Sequence, residues 1–357
     1  MPEFDVIIVG GGLAGAAAAL RLSEAARVLV LEADRPAAGA SGAAAGLANP
    51  LMARRARPVW RMEEASAILH ETLERAAATA LFRPGLLRPA FDARQAGAFV
   101  EAAAAHPRHA RWLAPEAVRE RFPAVVAPEG GLYVSTGGAL TVPAFVRAML
   151  AAAARNGAVV RTGARVTAWG EARDHAFVTY PDDRETVRLT AGRVLLTLGA
   201  DFTRFPETAR LHLHRVKGQV VRVEIPGEPL EALPHLSGSG YVVREDRTLV
   251  VGSSFEHRFT DRRPSPEQTA AILTKASAML PPLRQARVRD ECAGVRVGVP
   301  GARLPMIGPL PGRRRVWVFT GLGSKGLLMA PLLARDLARF FARPEALPPR
   351  IRVRLRP

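Results

Sequence analysis

The 357-residue sequence has one cysteine, three lysines and three tyrosines, and each scarcity closes off a class of protein. A lone Cys292 excludes an internal disulfide framework and a cysteine-based zinc cluster. No apolar stretch is long and continuous enough to span a membrane. The first strand is expected from Phe4 and leaves no room ahead of it for a secretory leader, so a cytoplasmic location is expected. Of 50 basic residues only Lys217, Lys275 and Lys325 are lysine; the remaining 47 are arginine, and the formal net charge is +17. Such an excess attracts a polyanion such as RNA. A coding bias that enriches Arg and Ala together would produce it too, and the poly-Ala stretches fit that origin equally well. The eight histidines form no H-x-x-x-H pair, and HLHR (212–215) has strand spacing with no acid nearby, so no metal site is expected. No Ser-His-Asp nucleophile pattern stands out.

What is present is concentrated at the start. Residues 4–32 read FDVIIVGGGLAGAAAALRLSEAARVLVLE. An apolar run, Val6 to Val9, leads into Gly10, Gly12 and Gly15 at G-x-G-x-x-G spacing; an Ala/Leu helix follows, then a second apolar run, Val28 to Leu31, ending in Glu32. Gly10 permits the tight strand-to-helix turn, Gly12 the approach of backbone to a pyrophosphate, and Gly15 close packing of the helix on the strands. Unpaired amides and the positive helix end then face the phosphates. Glu32 is placed to accept hydrogen bonds from a ribose. The pattern predicts a dinucleotide site.

The segment AAGASGAAAGLANP (37–50) is too rich in Gly and Ala for ordinary core packing and suggests backbone against a flat ligand. Residues 60–122 read mostly helical, broken at Pro84, Pro89 and Pro107. A strand is expected from Gly131, then a helix opening behind Thr141 and Pro143 and running to about Arg155. Strands are expected at 158–169, 176–180, 187–200, 215–225, 240–244 and 248–254, a helix at about 265–280, and strands near 287–297 and 315–320. GLGSKG (321–326) opens a last helix to about Phe341, and the tail IRVRLRP alternates as an edge strand does. With no repeat and no linker, the terminal nucleotide-binding units belong to one domain: 1–50, 142–205 and 287–345. Segments 51–141 and 206–286 form an inserted substrate domain, and 346–357 a basic tail.

The opening motif, SGAAAG (41–46), VLLTLGA (194–200) and FTGLGSKGLLMAP (319–331) together resemble the D-amino-acid-oxidase and glycine-oxidase superfamily, essentially end to end. The resemblance implies an α/β fold: an FAD-binding, Rossmann-like domain of glutathione-reductase type with an inserted α+β domain carrying a mixed or antiparallel sheet. It implies FAD, held noncovalently, with the late Gly-rich loop starting a helix aimed at the flavin ring. Amides at a helix N-terminus stabilise negative charge there, and a nicotinamide enzyme would not need this second loop. The cofactor contacts it implies are Gly10, Gly12, Leu13, Ala14, Gly15, Glu32, Ser41, Ala45, Gly46, Val166, Gly199, Gly321, Gly323, Ser324 and Gly326.

Within the superfamily, residues 240–261, 294–311 and 320–338 look most like the oxidoreductase domain of the bifunctional bacterial protein that matures wobble uridine in tRNA. That domain removes the carboxymethyl group from 5-carboxymethylaminomethyluridine. An acidic residue is usual where Ala302 stands, and no methyltransferase half is present, which implies a stand-alone oxidase domain. The resemblance gives Arg296, in AGVR, as a clamp on a substrate carboxylate, which a guanidinium fork binds through two parallel hydrogen bonds. It gives Tyr241 beside the same carboxylate and Lys325, at the last helix start, as a catalytic cation. Lys217 and Gln219 would border the flavin. Some sarcosine oxidases attach FAD through a cysteine in this region, but alignment puts theirs nearer Val295, so Cys292 reads as a buried small hydrophobe. The implied substrate is an amine or amino-acid moiety, an N-substituted glycine within tRNA, with molecular oxygen as acceptor. Two other readings stay open: an oxidase of free glycine, sarcosine or a D-amino acid, and a flavin-bearing binding protein without turnover.

Overall fold

The computed structural model describes residues 2–43, 45–182, 185–227, 233–301 and 304–356. Two sheets organise it. In the eight-stranded sheet, five parallel strands lie in the order Val159–Arg161, Val28–Leu31, Phe4–Val9, Glu185–Leu196 and Val316–Thr320. Met306–Pro309 pairs antiparallel on the last of these, and Ala168–Glu171 with Ala176–Asp182 forms a meander on the first half of Glu185–Leu196.

Alternation decides which residues face which layer. Val6, Ile8, Val28 and Val30 join one core cluster, with the helices Leu13–Leu22, Met62–Arg75, Val142–Arg155 and Gly326–Arg335. Ile7, Val9, Leu29 and Leu31 join another, with Val166, Tyr180, Phe202 and Val297. The four alanines Ala16–Ala19 are all buried, so the first helix sits close on the sheet. Gly15 closes the last gap: a Cβ there would lie 1.9 Å from the Gly10 carbonyl oxygen.

The nine-stranded sheet runs Arg287–Gly298, His214–Glu224, Thr248–Gly252, Gly240–Glu245, His235–Gly238, Arg83–Pro89, Gly131–Ala139 and Leu47–Ala48, with Ala110–Leu113 also on Gly131–Ala139. It is antiparallel except where His235–Gly238 meets Arg83–Pro89. The mixed α/β fold expected from the sequence is therefore present, with differences in detail. Residues 60–122 hold helices at Met62–Arg75, Ala93–Ala105 and Pro115–Arg121, but also the strands Arg83–Pro89 and Ala110–Leu113. In the first, Pro84 and Pro89 flank the buried Leu86-Leu87 pair, a run too short to show a period of two. His235–Gly238 and Met306–Pro309, four residues each with a glycine in or at the end of the run, also escaped the sequence reading. The tail is no edge strand: Pro348 and Pro349 lack amide donors, a 3₁₀ turn forms at Pro349–Ile351, and a single bridge joins Leu355 to Leu211. The strand Arg287–Gly298, grouped by sequence with the dinucleotide-binding segments, hydrogen-bonds to His214–Glu224 in the nine-stranded sheet. That pairing carries Arg296 to the site.

Candidate active site

A cavity of about 680 Å³ is bounded by residues of both sheets. Its phosphate-type wall is the start of the helix Leu13–Leu22. The Ala16 amide is the first to bond back, to the Gly12 carbonyl at 2.9 Å. The amides before it have no partner within the helix. The Leu13 amide donates to Ser41 Oγ at 3.1 Å, which ties the Gly/Ala-rich segment to this helix end. Glu32, at the end of its strand, accepts from the Gly11 amide at 2.6 Å and from the Asp34 amide at 3.0 Å. A carboxylate has about four lone-pair sites, so Glu32 keeps capacity for a further hydroxyl. Thr197, in VLLTLGA, bonds the Val9 and Gly10 carbonyls through Oγ1 and fixes the loop from behind.

Small residues bring backbone to the cavity wall. Gly46 lies at φ 69°, and a Cβ there would be 1.7 Å from the Leu140 carbonyl oxygen. At the second loop, Gly321, Gly323, Ser324 and Gly326 line the cavity, as does Leu327. The first helical bond beyond it is donated by Leu328 to the Lys325 carbonyl, so the Gly326 and Leu327 amides precede that ladder. Thr320 also lines the cavity, and its buried hydroxyl has no hydrogen-bond partner among the described residues. Two helix starts, a carboxylate with spare acceptor capacity and an orphaned buried hydroxyl together suit a long, polar-ended, anionic dinucleotide.

Arg296 and Tyr241 line the same cavity. Arg296 Nη2 donates to the Ser254 carbonyl at 3.1 Å, and its guanidinium carbon is 4.6 Å from the centre of the Phe255 ring. Gly218 makes room beneath: a Cβ there would approach Arg296 Nη2 to 2.6 Å. Gly252 does the same for Tyr241, whose hydroxyl would be 2.6 Å from such a Cβ. Burial lowers the Arg296 pKa from its ordinary value, because the cation is desolvated and no carboxylate pairs with it among the described residues; Tyr241 opposes that shift. Burial pushes the Tyr241 phenol up to about 12, against the nearby Arg296 charge and Ser253. The result is a desolvated cation beside a neutral hydroxyl donor, an arrangement that awaits an anion.

Of the residues singled out from the sequence, Gly10, Gly12, Leu13, Ala14, Glu32, Ser41, Ala45, Gly46, Val166, Gly199, Tyr241, Arg296, Gly321, Gly323, Ser324 and Gly326 all line this cavity. Gly15 packs behind it. Lys325, the N-cap, is not among the residues that bound it, although Ser324 and Gly326 are. Lys217 and Gln219 are also elsewhere. They alternate with Gly218 and Val220, which do line the cavity, so the period of two puts them on the other face. Gln219 there ties Ser265 and Thr269 to the sheet. Cys292 is half-buried against Ala45, Val220 and Val243, outside the lining, with its thiol pushed up by burial and Asp290. Ala302 lies outside the described residues. Sequence reasoning missed Lys275, Phe255, Arg165, Arg204 and Arg262, which line the cavity from turns and helices that carry no motif. An exposed phenylalanine in SSFEH was the one available signal.

The fold and cavity define an α/β oxidoreductase of dinucleotide-binding type. The chain belongs to the FAD dependent oxidoreductase (DAO) family, whose model matches residues 5–340. It is 32% identical, over 93% of its length, to the tRNA 5-methylaminomethyl-2-thiouridine biosynthesis bifunctional protein MnmC of Thiobacillus denitrificans, and spans 55% of that protein. It is 27% identical to a glycine oxidase of Pseudomonas putida, covering 92% of this chain and 91% of the relative. Among solved structures, glycine oxidase from Geobacillus kaustophilus superposes with a TM-score of 0.80 at 25% identity, over 96% of this chain and 95% of that one. The chain is thus an FAD-dependent oxidoreductase, and the superfamily expected from its motifs is the one found.

Proposed function

We propose that the chain oxidises the C–N bond of an N-carboxymethyl amine, and that the amine is 5-carboxymethylaminomethyluridine, or its 2-thio form, at the wobble position of tRNA. The observation that carries the first part is Arg296: a half-buried guanidinium with no acidic partner among the described residues, stacked on Phe255 and next to Tyr241. A substrate carboxylate relieves its desolvation through two parallel charge-assisted hydrogen bonds and is thereby oriented. Tyr241, neutral across the physiological range, donates a third hydrogen bond. FAD, held noncovalently, would supply the hydride acceptor.

In the overall reaction R–NH–CH₂–COO⁻ gives up a hydride from carbon and a proton from nitrogen. Water adds to the resulting C=N bond, and glyoxylate and R–NH₂ separate. Molecular oxygen takes the two electrons and two protons as hydrogen peroxide. The chain's part is to hold the carboxylate, keep the amine neutral in an apolar pocket and shield the C=N carbon until water enters. The tRNA assignment is supported by the +17 charge and by the likeness to the bifunctional tRNA protein. The experiment is nucleoside analysis of tRNA carrying the carboxymethylaminomethyl group, with conversion to the aminomethyl form expected. A second reading, oxidation of free glycine or sarcosine, is favoured by the match to a glycine oxidase over nearly that protein's whole length. Peroxide release with glycine and none with tRNA selects it.

A further inference from the structure

A second, open cleft of about 850 Å³ is lined by His214, Arg215, Lys217 and Arg356 and by the segment from Glu256 to Ser265 without Arg262. Its carboxylates are engaged: Lys217, buried, sits 3.4 Å from Glu256 and 3.7 Å from Asp261. The guanidinium groups of Arg215, Arg258 and Arg263 have no acidic partner among the described residues; Arg263 meets Asp261 only through its backbone amide. The His214 and His257 rings are stacked at 6.3 Å, the Arg215 guanidinium lies over Phe259, and His214 Nδ1 is buried without a hydrogen-bond partner among the described residues. The cleft therefore offers unneutralised cations next to flat rings, the combination that takes phosphodiesters and stacked bases. An acidic peptide would use the cations but leave the rings idle.

One strap joins this cleft to the amine cavity. Ser253 and Phe255 line the cavity, while Glu256 to Asp261 line the cleft. Reciprocal backbone bonds between Lys217 and Glu256 pin the strap to the sheet at the changeover. Phe255 is 61% exposed, over Arg296. We infer that the cleft is the subsite for the RNA backbone flanking the modified nucleotide, whose amine side chain enters the cavity past Phe255. The inference rests on the tRNA reading above and adds where the RNA is held.

The test compares wild type with Arg215→Glu/Arg258→Glu/Arg263→Glu. A fluorescein-labelled anticodon stem–loop RNA reports binding by anisotropy, and tRNA nucleoside analysis reports turnover. Losing three phosphate contacts is expected to weaken binding at least about tenfold and to flatten the slope of log K against log salt by about 2–3. Flavin content and melting temperature should be unchanged. Should the triple variant fold poorly, Arg258→Glu and Arg263→Glu singly, both at exposed positions, carry the same test with smaller shifts. If wild type acts on tRNA and the variants bind and act equally well, the cleft assignment is wrong and the function stands. If wild type acts on no tRNA but oxidises glycine, both fall. Polyglutamate displacing the RNA more effectively than an RNA homopolymer would also overturn the assignment.

Discussion

Replacing Arg296 with glutamine separates catalysis from stability in opposite directions. Among the described residues the guanidinium makes one hydrogen bond, to the Ser254 carbonyl, and otherwise lies partly desolvated in the cavity without an acid. Removing one partner of a buried charge pair costs about 2–5 kcal/mol of binding. At about 1.4 kcal/mol per tenfold, kcat/KM for a carboxylated amine should fall roughly 30- to 4,000-fold. The free protein, by contrast, loses an uncompensated half-buried cation, so the melting temperature should hold or rise. The assay is peroxide release at several amine concentrations, with flavin absorbance and thermal unfolding measured on the same samples. A fall in kcat/KM of less than threefold, or a loss of activity tracking a loss of flavin or of melting temperature, would show that Arg296 supports the fold and does not hold the substrate.

Other perturbations read other parts of the site. Glu32→Ala removes an acceptor from two loop amides and from the expected ribose contact; FAD affinity, titrated by fluorescence quenching, should fall roughly 10- to 150-fold at about 1.5–3 kcal/mol per charged hydrogen bond. Gly46→Ala forces a left-handed alanine against the Leu140 carbonyl and should cost at least about 1–3 kcal/mol in denaturant unfolding, with poor flavin retention. His235, buried and near Arg244, has its pKa lowered to about 4. The folded state thus resists the proton that the unfolded chain accepts near pH 6.5, so stability present above pH 6.5 drains away toward pH 4, by up to about 3 kcal/mol. His235→Gln should flatten that limb of the stability curve. Tyr241, with its phenol at about 12, holds its proton more tightly folded than unfolded. It should withdraw stability only above about pH 10, and Tyr241→Phe should lower kcat/KM without moving the neutral-pH profile.

The parts of the site that were legible in the sequence are those where backbone chemistry leaves a residue signature. Gly10, Gly12 and Gly15 could be read because a turn, an approach and a helix contact each exclude a side chain. Gly321, Gly323 and Gly326 could be read for similar reasons. Arg296 was singled out through the resemblance of AGVR, and it lines the cavity although its strand belongs to the other sheet, a matter of long-range pairing that local pattern does not encode. Lys325 falls outside the lining between two residues that form it, because a helix start scatters side chains around an axis and one residue of phase decides which of them meet the cavity. Lys217 and Gln219 went astray by one residue too: in a strand that error changes the face. Lys275, Arg204 and Arg262 were invisible, since distant elements bring them to the cavity.

Flavin-loaded protein mixed with an N-carboxymethyl amine in air settles whether the Arg296 cavity is an amine-oxidising site. The structure leads us to expect glyoxylate and hydrogen peroxide in equal amounts, and FAD released intact on denaturation. A colourless chain that takes up no FAD on reconstitution, or one that binds it and yields no glyoxylate, would contradict the assignment.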